Sequence, residues 1–232
     1  MPSFPWGIVG RAENLTLSVI TKWPEELRDF FAAEGLVSLP LVPLLATDGS
    51  AEAPSEAEQR ISSWAVAFHN RSGTISTFGR IMPVVDTTIN CAELTAVLVT
   101  YLALDMAGLS AGTLLTDHAE AVRRRSPSQR HGKPLLWQQL DIIQQRKPGF
   151  RLLWVPAHGR HRNMSVPNEH RILHSHTDEA AGALSARAHS QRKPWRDALT
   201  RRRWLSGQVL QYKFGVLRVY YDQLVHDRRH GS

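Results

Sequence analysis

The stretch LLATDGSAEAP, residues 44–54, places one acid, Asp48, at the end of a short apolar run and directly before Gly49 and Ser50. Asp-Gly is a common turn dipeptide, so a strand that ends in a turn accounts for this stretch without any chemistry. A carboxylate at a strand end is also a suitable metal ligand. The two interpretations separate only if carboxylates recur at the ends of other elements.

Length and composition favour one globular domain with additional segments. The chain has 232 residues, of which 42% are hydrophobic, and no uninterrupted apolar run reaches the roughly 18 residues of a membrane span. Its first residues lack the pattern of a secretory signal, and the single cysteine, Cys91, excludes an internal disulfide framework. We therefore expect an intracellular protein, nuclear or cytoplasmic, that is not secreted and has no membrane partner.

The formal charge of +7 is concentrated near the C-terminus. Residues 190–232 contain ten basic and three acidic side chains, whereas residues 1–189 contain 18 of each. Lys and Arg displace counterions from phosphates whatever the base sequence, so the basic segment suggests a polyanionic partner. A solvated helix with basic faces explains the same charges, and composition leaves both interpretations open.

The chain divides into three predicted parts. Residues 1–38 contain one helix, PEELRDFFAAEG, with Pro24 in its first turn and Gly35 after its end, and no assigned function. Residues 39–190 alternate strand and helix patterns. Residues 191–232 are expected to form a basic helical C-terminal extension with aromatic and aliphatic side chains available for packing.

The element order of the middle part predicts an α/β fold. SSWAVAFHN and TISTFGRIM are joined by a turn at NRSG and form a hairpin, and NCAELTAVLVTYLALDMAG is a buried helix that stops at Gly108. A strand GTLLT, helices DHAEAVRRR and PLLWQQLDIIQQ, a strand FRLLWVP and a helix TDEAAGALSARAHS follow. The order βββαβααβα predicts a mixed sheet covered by helices.

Four acids fall at predicted element ends. Asp48 and Asp117 end strands, and parallel strands bring their carboxyl ends to one edge of a sheet. Glu93 and Asp178 lie in the first turns of predicted helices, where packing above that edge would add them to the group.

Each acid also has a purely structural explanation. Asn90 with Glu93 fits a helix-capping arrangement, and Asp117 or Asp178 fits an ordinary helix start. One shared cause accounts for all four acids more simply. Clustered carboxylates repel one another unless a cation neutralises them, so the pattern favours a site for a hard divalent metal.

Seven segments together resemble type 1 ribonuclease H domains. They are TDGS, SWAVAF, TTINCAELTAVLVTYLAL, LLTDHAEAVRR, LWQQL, LLWVPAHG and TDEAAGALSARA, and they cover about residues 44–189. No segment is specific alone, but their order and spacing are typical of the family. The resemblance implies an RNase H-like five-stranded sheet, with three antiparallel strands followed by two parallel strands, flanked by helices.

The resemblance also implies a site for two Mg²⁺ ions, which Mn²⁺ could replace. The metal ligands at matching positions are Asp48, Glu93, Asp117 and Asp178. His158, in VPAHG, corresponds to a loop histidine that assists proton transfer or product release. Gly49, Ser50 and Asn90 match positions that contact the RNA strand, although a turn and a helix cap would explain the same residues.

These implications describe a metal-dependent endonuclease that hydrolyses the RNA strand of RNA–DNA hybrids. Phosphodiester hydrolysis needs an activated water, a stabilised leaving oxygen and an in-line arrangement of the two, and paired divalent ions meet these needs. A hybrid is distinguished by its groove shape and its 2′-hydroxyls, so we expect little base preference.

The chain departs from the family pattern after VPAHG. The interval between His158 and Asp178 is about twice the usual length, and it contains several histidines: His158, His161, His170, His174 and His176. Because this interval has no cysteine and irregular spacing, a structural zinc site is the weaker interpretation. The long interval also makes Glu169 an alternative fourth ligand.

Three further hypotheses stay open at this stage. The basic extension suggests descent from a retroelement reverse transcriptase, whose polymerase domain would then be a partner. A non-catalytic domain that binds hybrids would keep the fold without hydrolysis. A DNA strand-transfer enzyme, integrase or transposase, shares this kind of sheet and metal chemistry but is not expected to show the same series of motifs.

Overall fold

The computed structural model describes residues 23–36, 42–52, 61–82, 88–123, 134–157 and 165–200. These residues form five helices and five strands. In chain order they are α1 (Trp23–Ala33), β1 (Leu44–Glu52), β2 (Ile61–His69), β3 (Ile75–Ile81), α2 (Ile89–Met106), β4 (Ala111–Thr116), α3 (Ala119–Arg123), α4 (Pro134–Arg146), β5 (Gly149–Trp154) and α5 (Asn168–Thr200).

The strands form one sheet in the order β3-β2-β1-β4-β5. The pairs β1–β2 and β2–β3 are antiparallel, whereas β1–β4 and β4–β5 are parallel. This arrangement confirms the prediction of an RNase H-like mixed sheet with three antiparallel and two parallel strands. The central strand, β1, is therefore paired on both edges.

The β2–β3 hairpin is formed by the predicted turn. The Asn70 side-chain oxygen accepts hydrogen bonds from the backbone N–H groups of Ser72 (3.0 Å) and Thr74 (3.1 Å). Such a side-chain bond to the backbone two residues ahead is why Asn is favoured in turns. His69 pairs with Ile75 at the end of the ladder, so the turn chemistry sets the register of the hairpin.

Alternate residues of the strands face two separate hydrophobic layers. Large side chains such as Leu45, Trp64 and Phe68 join the core that contains α1, α2 and α4. Small side chains on the opposite face, Ala46 and Ala67, pack with residues that include Leu173 of α5. Because successive side chains of a strand point to opposite faces, this alternation places α5, among the described helices, across the sheet from the larger core.

Helix α2 is the apolar centre of the larger core. Its end is the predicted one, since Gly108 has a φ of 77° and the Leu109 N–H bonds the Leu104 carbonyl at 3.1 Å. By length and composition α2 could cross a membrane, but 67% of it is buried within the protein. Its apolar composition therefore follows from its position in the core.

Helix α1 packs onto the same face of the sheet. Trp23 is 1% exposed, and its ring lies 5.5 Å from that of Trp64. Phe31 packs edge-on against Phe68 at 5.1 Å. The N-terminal helix thus contributes to the core of the sheet that carries the candidate site.

Candidate metal centre

Asp48 lies within β1 and not at its end. The strand continues through Gly49 and Ser50 to Glu52, so the predicted turn at these residues is wrong. The reason is non-local, because β2 supplies an antiparallel partner for every residue up to Glu52, with Asp48 opposite Ala65. A common turn dipeptide is overridden by a paired neighbouring strand.

The position of Asp48 beside Asp117 follows from where parallel pairing stops. The β1–β4 ladder ends at Ala46 and Leu115, two residues before Asp48 and Asp117 respectively. Asp117 directly follows β4, and its carbonyl accepts a hydrogen bond from the Trp154 indole N–H at 3.1 Å. Both acids therefore lie just beyond the point where the two strands stop pairing, Asp48 within β1 and Asp117 after the end of β4.

Asp48 and Asp117 form a compact group with His174 of α5. One potential ligand atom from each of the three side chains lies within 4.8 Å of the others. Asp48 is 4% exposed and His174 is 2% exposed. The Asp117 Oδ1 atom is also buried and accepts no hydrogen bond from the described residues. A buried carboxylate oxygen in this state is a position at which a cation is expected.

The electrostatics of Asp48 bring together all four acids named from the sequence. Burial raises the pKa of the Asp48 carboxyl to about 9, with further contributions from repulsion by Asp117, Asp178 and Glu93. A hydrogen bond with the Gly49 backbone acts in the opposite direction but is weaker. Four carboxylates thus share one neighbourhood, and a divalent cation there would relieve their repulsion.

Glu93 reaches the site from the second turn of α2. Its predicted place in the first turn and its capping role are wrong, because Thr88 is the N-cap and accepts a hydrogen bond from the Cys91 N–H at 3.3 Å. Glu93 Oε2 instead lies 2.6 Å from His118 Nδ1. The His118 ring is buried and stacks on Trp137, with ring centroids 6.0 Å apart. His118 therefore holds the Glu93 carboxylate in a fixed orientation.

Asp178 is the eleventh residue of α5 and does not lie in the first turn of a helix. The helix begins at Asn168, ten residues earlier, and the hydroxyl of Thr177 donates to the Leu173 carbonyl at 2.8 Å instead of capping a helix. His174 and Asp178 are four residues apart on α5, so they lie on the same side of the helix.

The alternative fourth ligand, Glu169, is not among the carboxylates that raise the pKa of Asp48. Its side chain is 59% exposed and lies 3.6 Å from His69 Nε2. The arrangement of the described residues therefore favours Asp178. His158 and His161 lie outside the described residues, so the role of His158 stays a prediction.

The residues matched to RNA contacts differ in their surroundings. Ser50 Oγ lies 3.2 Å from Ser185 Oγ of α5, and Gly49 lies against the backbone of α2 at Glu93. Asn90 is an exposed residue of the first turn of α2. Two of the three thus pack β1 against its covering helices, and their contact with a substrate stays a prediction.

Replacing Gly49 by Ala is expected to destabilise the protein by about 1–3 kcal/mol. The added methyl group would come 2.6 Å from the Glu93 backbone nitrogen and 2.9 Å from the Ala92 carbonyl carbon, so α2 would have to move. Urea unfolding measures the loss. Gly182→Ala in α5 is the matched control, since nothing lies within 4 Å of its added methyl group. Equal stability of Gly49→Ala and the wild type would contradict this packing.

Two residues of the site were not predicted from the sequence to lie beside the acids, although His174 was named among the histidines of the weaker zinc interpretation. His174 could have been recognised from its four-residue spacing to Asp178, but only if the helix had been predicted to begin before residue 174. His118 follows Asp117 directly, and nothing in the local sequence shows that it meets Glu93, 25 residues earlier. Both contacts depend on how the elements pack.

Comparison with known proteins found similar solved structures but no sequence match. No protein-family model matches the chain, and no curated protein matches it. A solved structure of the protease-reverse transcriptase of prototype foamy virus is 15% identical over 62% of this chain and 20% of that chain, with a TM-score of 0.47. The chain thus spans about a fifth of that protein's length.

Two smaller proteins are covered almost completely. The N-terminal RNase H domain of Rv2228c from Mycobacterium tuberculosis is 14% identical over 64% of this chain and 97% of the solved chain, with a TM-score of 0.44. LC11-RNase H1, solved in complex with an RNA/DNA hybrid, is 16% identical over 63% of this chain and 98% of that one, also with a TM-score of 0.44. The strand order and pairing of the chain itself remain the basis for its RNase H-like fold.

Proposed function

We propose that this chain is a metal-dependent ribonuclease H that hydrolyses the RNA strand of RNA–DNA hybrids. The observation that carries the proposal is the convergence of Asp48, Glu93, Asp117 and Asp178 on one neighbourhood just beyond the end of the parallel β1–β4 ladder. Burying several like charges is costly, and a purely structural role for these acids would not compensate that cost.

The residues fit divalent metal ions. Carboxylate oxygens are the ligands that Mg²⁺ prefers, and the buried Asp117 Oδ1 has no hydrogen-bond donor among the described residues. Asp48, Glu93, Asp117 and Asp178 would hold the ions. Bound divalent metals supply an activated water and stabilise the charge that develops on the phosphate.

The protein's own contribution is to hold the ligands rigidly. Asp48 is fixed by a strand paired on both edges, and Glu93 is oriented by its hydrogen bond with His118. Asp178 is carried by α5, which is fastened to β2 where Ser63 donates a hydrogen bond to the Ala181 carbonyl. Rigid placement of charged ligands lowers the cost of reorganisation during the reaction.

The proposed substrate follows from the chemistry of the hybrid. A hybrid has 2′-hydroxyls on one strand and a groove wider than the minor groove of B-form DNA, so the RNA strand can be selected without contacts to base edges. We therefore expect hydrolysis of RNA paired with DNA and little cleavage of DNA duplex.

The test is hydrolysis of a labelled RNA–DNA hybrid in the presence of Mg²⁺ or Mn²⁺. Asp117→Asn and Glu93→Gln are expected to lower the rate by roughly 10²-fold or more, because each removes a charged ligand. Glu169→Gln is the matched control, since this carboxylate is exposed and pairs with His69 outside the group. Its rate should equal that of the wild type.

Other outcomes would overturn the proposal. A wild-type chain that binds the hybrid but does not cleave it with either ion would indicate a non-catalytic hybrid-binding domain. Joining of DNA ends without hydrolysis of RNA would indicate a strand-transfer enzyme. Undiminished cleavage by both variants would show that the cleaving site lies elsewhere.

A further inference from the structure

We propose that His174 is a direct nitrogen ligand of the divalent ion bound by Asp48 and Asp117, and that it gives the site a preference for Mn²⁺ over Mg²⁺. The inference rests on the proposed function, because it concerns the same site, but it predicts a property of metal binding that can be measured without catalysis.

The distance between His174 and Asp117 fits two ligands of one ion. His174 Nε2 lies 3.9 Å from Asp117 Oδ1, which is too far for a hydrogen bond. Two ligand atoms that are each about 2.1 Å from one ion lie roughly 3–4 Å apart, depending on the angle between them. The spacing of the two side chains is therefore that of atoms sharing an ion, and a ligand atom of Asp48 lies within the same 4.8 Å group.

His174 is also buried, unlike most of its neighbours in the chain. His174 is 2% exposed, whereas four of the six residues from His170 to Ser175 have exposed or half-exposed side chains. Its helical neighbour Leu173 belongs to the apolar layer with Ala46, Ala67 and Leu115. The imidazole is thus placed between an apolar layer and carboxylates, where its ring nitrogen can bind a cation that those carboxylates hold.

Helix α5 holds His174 in place. Ser63 Oγ donates a hydrogen bond to the Ala181 carbonyl, and Ser50 Oγ lies 3.2 Å from Ser185 Oγ. These contacts fix α5 on the same face of the sheet as Asp48. His174 is one helical turn from Asp178, so both side chains are presented to the group together.

The type of ligand atom affects which divalent ion is preferred. Mg²⁺ prefers oxygen ligands and gives up its bound water reluctantly, whereas imidazole nitrogens are good ligands for transition metals. A site with carboxylates and one buried imidazole should therefore gain affinity for Mn²⁺ relative to a site built from carboxylates alone. The four acids named from the sequence would not by themselves predict this preference.

Pulsed electron paramagnetic resonance of bound Mn²⁺ tests the ligand directly. The wild-type protein should show modulation from a directly coordinated ¹⁴N nucleus, and His174→Gln should lose it. His176→Gln, which replaces an exposed histidine of the same helix, should retain it. By calorimetry, the affinity of His174→Gln for Mn²⁺ should be lower by roughly 10-fold or more. This loss of affinity is at least as large as that for residues that only orient a ligand.

A second variant covers the case in which His174→Gln does not fold. His174→Asp restores an oxygen ligand, so it should bind Mn²⁺ without nitrogen modulation and shift the ratio of affinities toward Mg²⁺. If His174 had only a structural role, the ratio of Mn²⁺ to Mg²⁺ affinities would not change. Bound Mn²⁺ without nitrogen modulation in the wild type, or modulation that survives in a folded His174 variant, would overturn the inference.

The two proposals fail separately. Nitrogen coordination by His174 without any cleavage of the hybrid would remove the proposed function and leave this inference standing. Cleavage of the hybrid without nitrogen coordination would remove the inference and leave the function standing.

Discussion

Asp48→Asn is expected to make the metal-free protein more stable and to abolish metal-dependent hydrolysis of the hybrid. The substitution keeps the shape of the side chain but replaces a carboxyl whose ionisation is disfavoured in the folded protein by burial and by three neighbouring carboxylates. At neutral pH without metal, Asp48 must take up a proton on folding, whereas Asn has no such cost, so the free energy of unfolding should rise by at least about 1 kcal/mol, or Tm by about 2–4 °C. Loss of the ligand charge should lower the hydrolysis rate by roughly 10²-fold or more.

The Asp48 carboxyl should also make the stability of the metal-free protein fall as pH rises. Its pKa is raised from 3.8 to about 9 in the folded protein. Between these values the folded state holds a proton that the unfolded state has lost, so the free energy of unfolding should fall as pH rises. Without metal, the stabilisation is fully present below pH 3.8 and is lost as pH approaches 9.

Urea unfolding with a chelator, across this pH range, measures both the higher stability expected of Asp48→Asn and the loss of the pH dependence. The variant should lack most of the decline that the wild type shows. Asp29→Asn is the control, because Asp29 is an exposed acid paired with Arg28. Divalent metal should stabilise the wild type more than Asp48→Asn, since binding to the folded state stabilises it. A variant less stable than the wild type in chelator would contradict the account of crowded charges.

Trp23→Ala is expected to lower the free energy of unfolding by about 3–5 kcal/mol, the usual cost of removing a buried Trp side chain. Trp23 is 1% exposed and packs at 5.5 Å on Trp64, which is itself fully buried on β2. Chemical unfolding monitored by circular dichroism measures the loss.

The control for Trp23→Ala is Arg28→Ala on the same helix. Arg28 is exposed, and its ion pair is with the adjacent Asp29, so removal should change stability by less than about 1 kcal/mol. Similar losses in the two variants would mean that α1 does not pack as described. A large loss for Trp23→Ala alone would establish α1 as part of the core.

Local chemistry was sufficient to predict several features of the fold. The end of α2 at Gly108 and the turn at Asn70 follow from residues that act on their own backbone. The order of strands and helices follows from hydrophobic periodicity, and the mixed sheet follows from that order together with the family resemblance. These features depend on contacts between residues close in the sequence or on a repeated pattern.

The positions of acids within their elements could not be predicted in the same way. Asp48 is inside β1 because β2 also pairs with the β1 residues that follow Asp48. Asp178 is inside α5 because that helix begins at Asn168. The contacts of Glu93 with His118, and of His174 with Asp117, join separate elements. Such contacts are set by tertiary packing, which no local pattern in one sequence encodes.

The pairing of β1 on both edges has a consequence for when the site can form during synthesis. The chain leaves the ribosome from its N-terminus, so Asp48 emerges well before β4, which must pair beside it, and before α5, which carries Asp178. A nascent chain without α5 has an incomplete ligand set. Under the proposed function, nuclease activity would therefore be withheld from the growing polypeptide until nearly the whole domain has been translated.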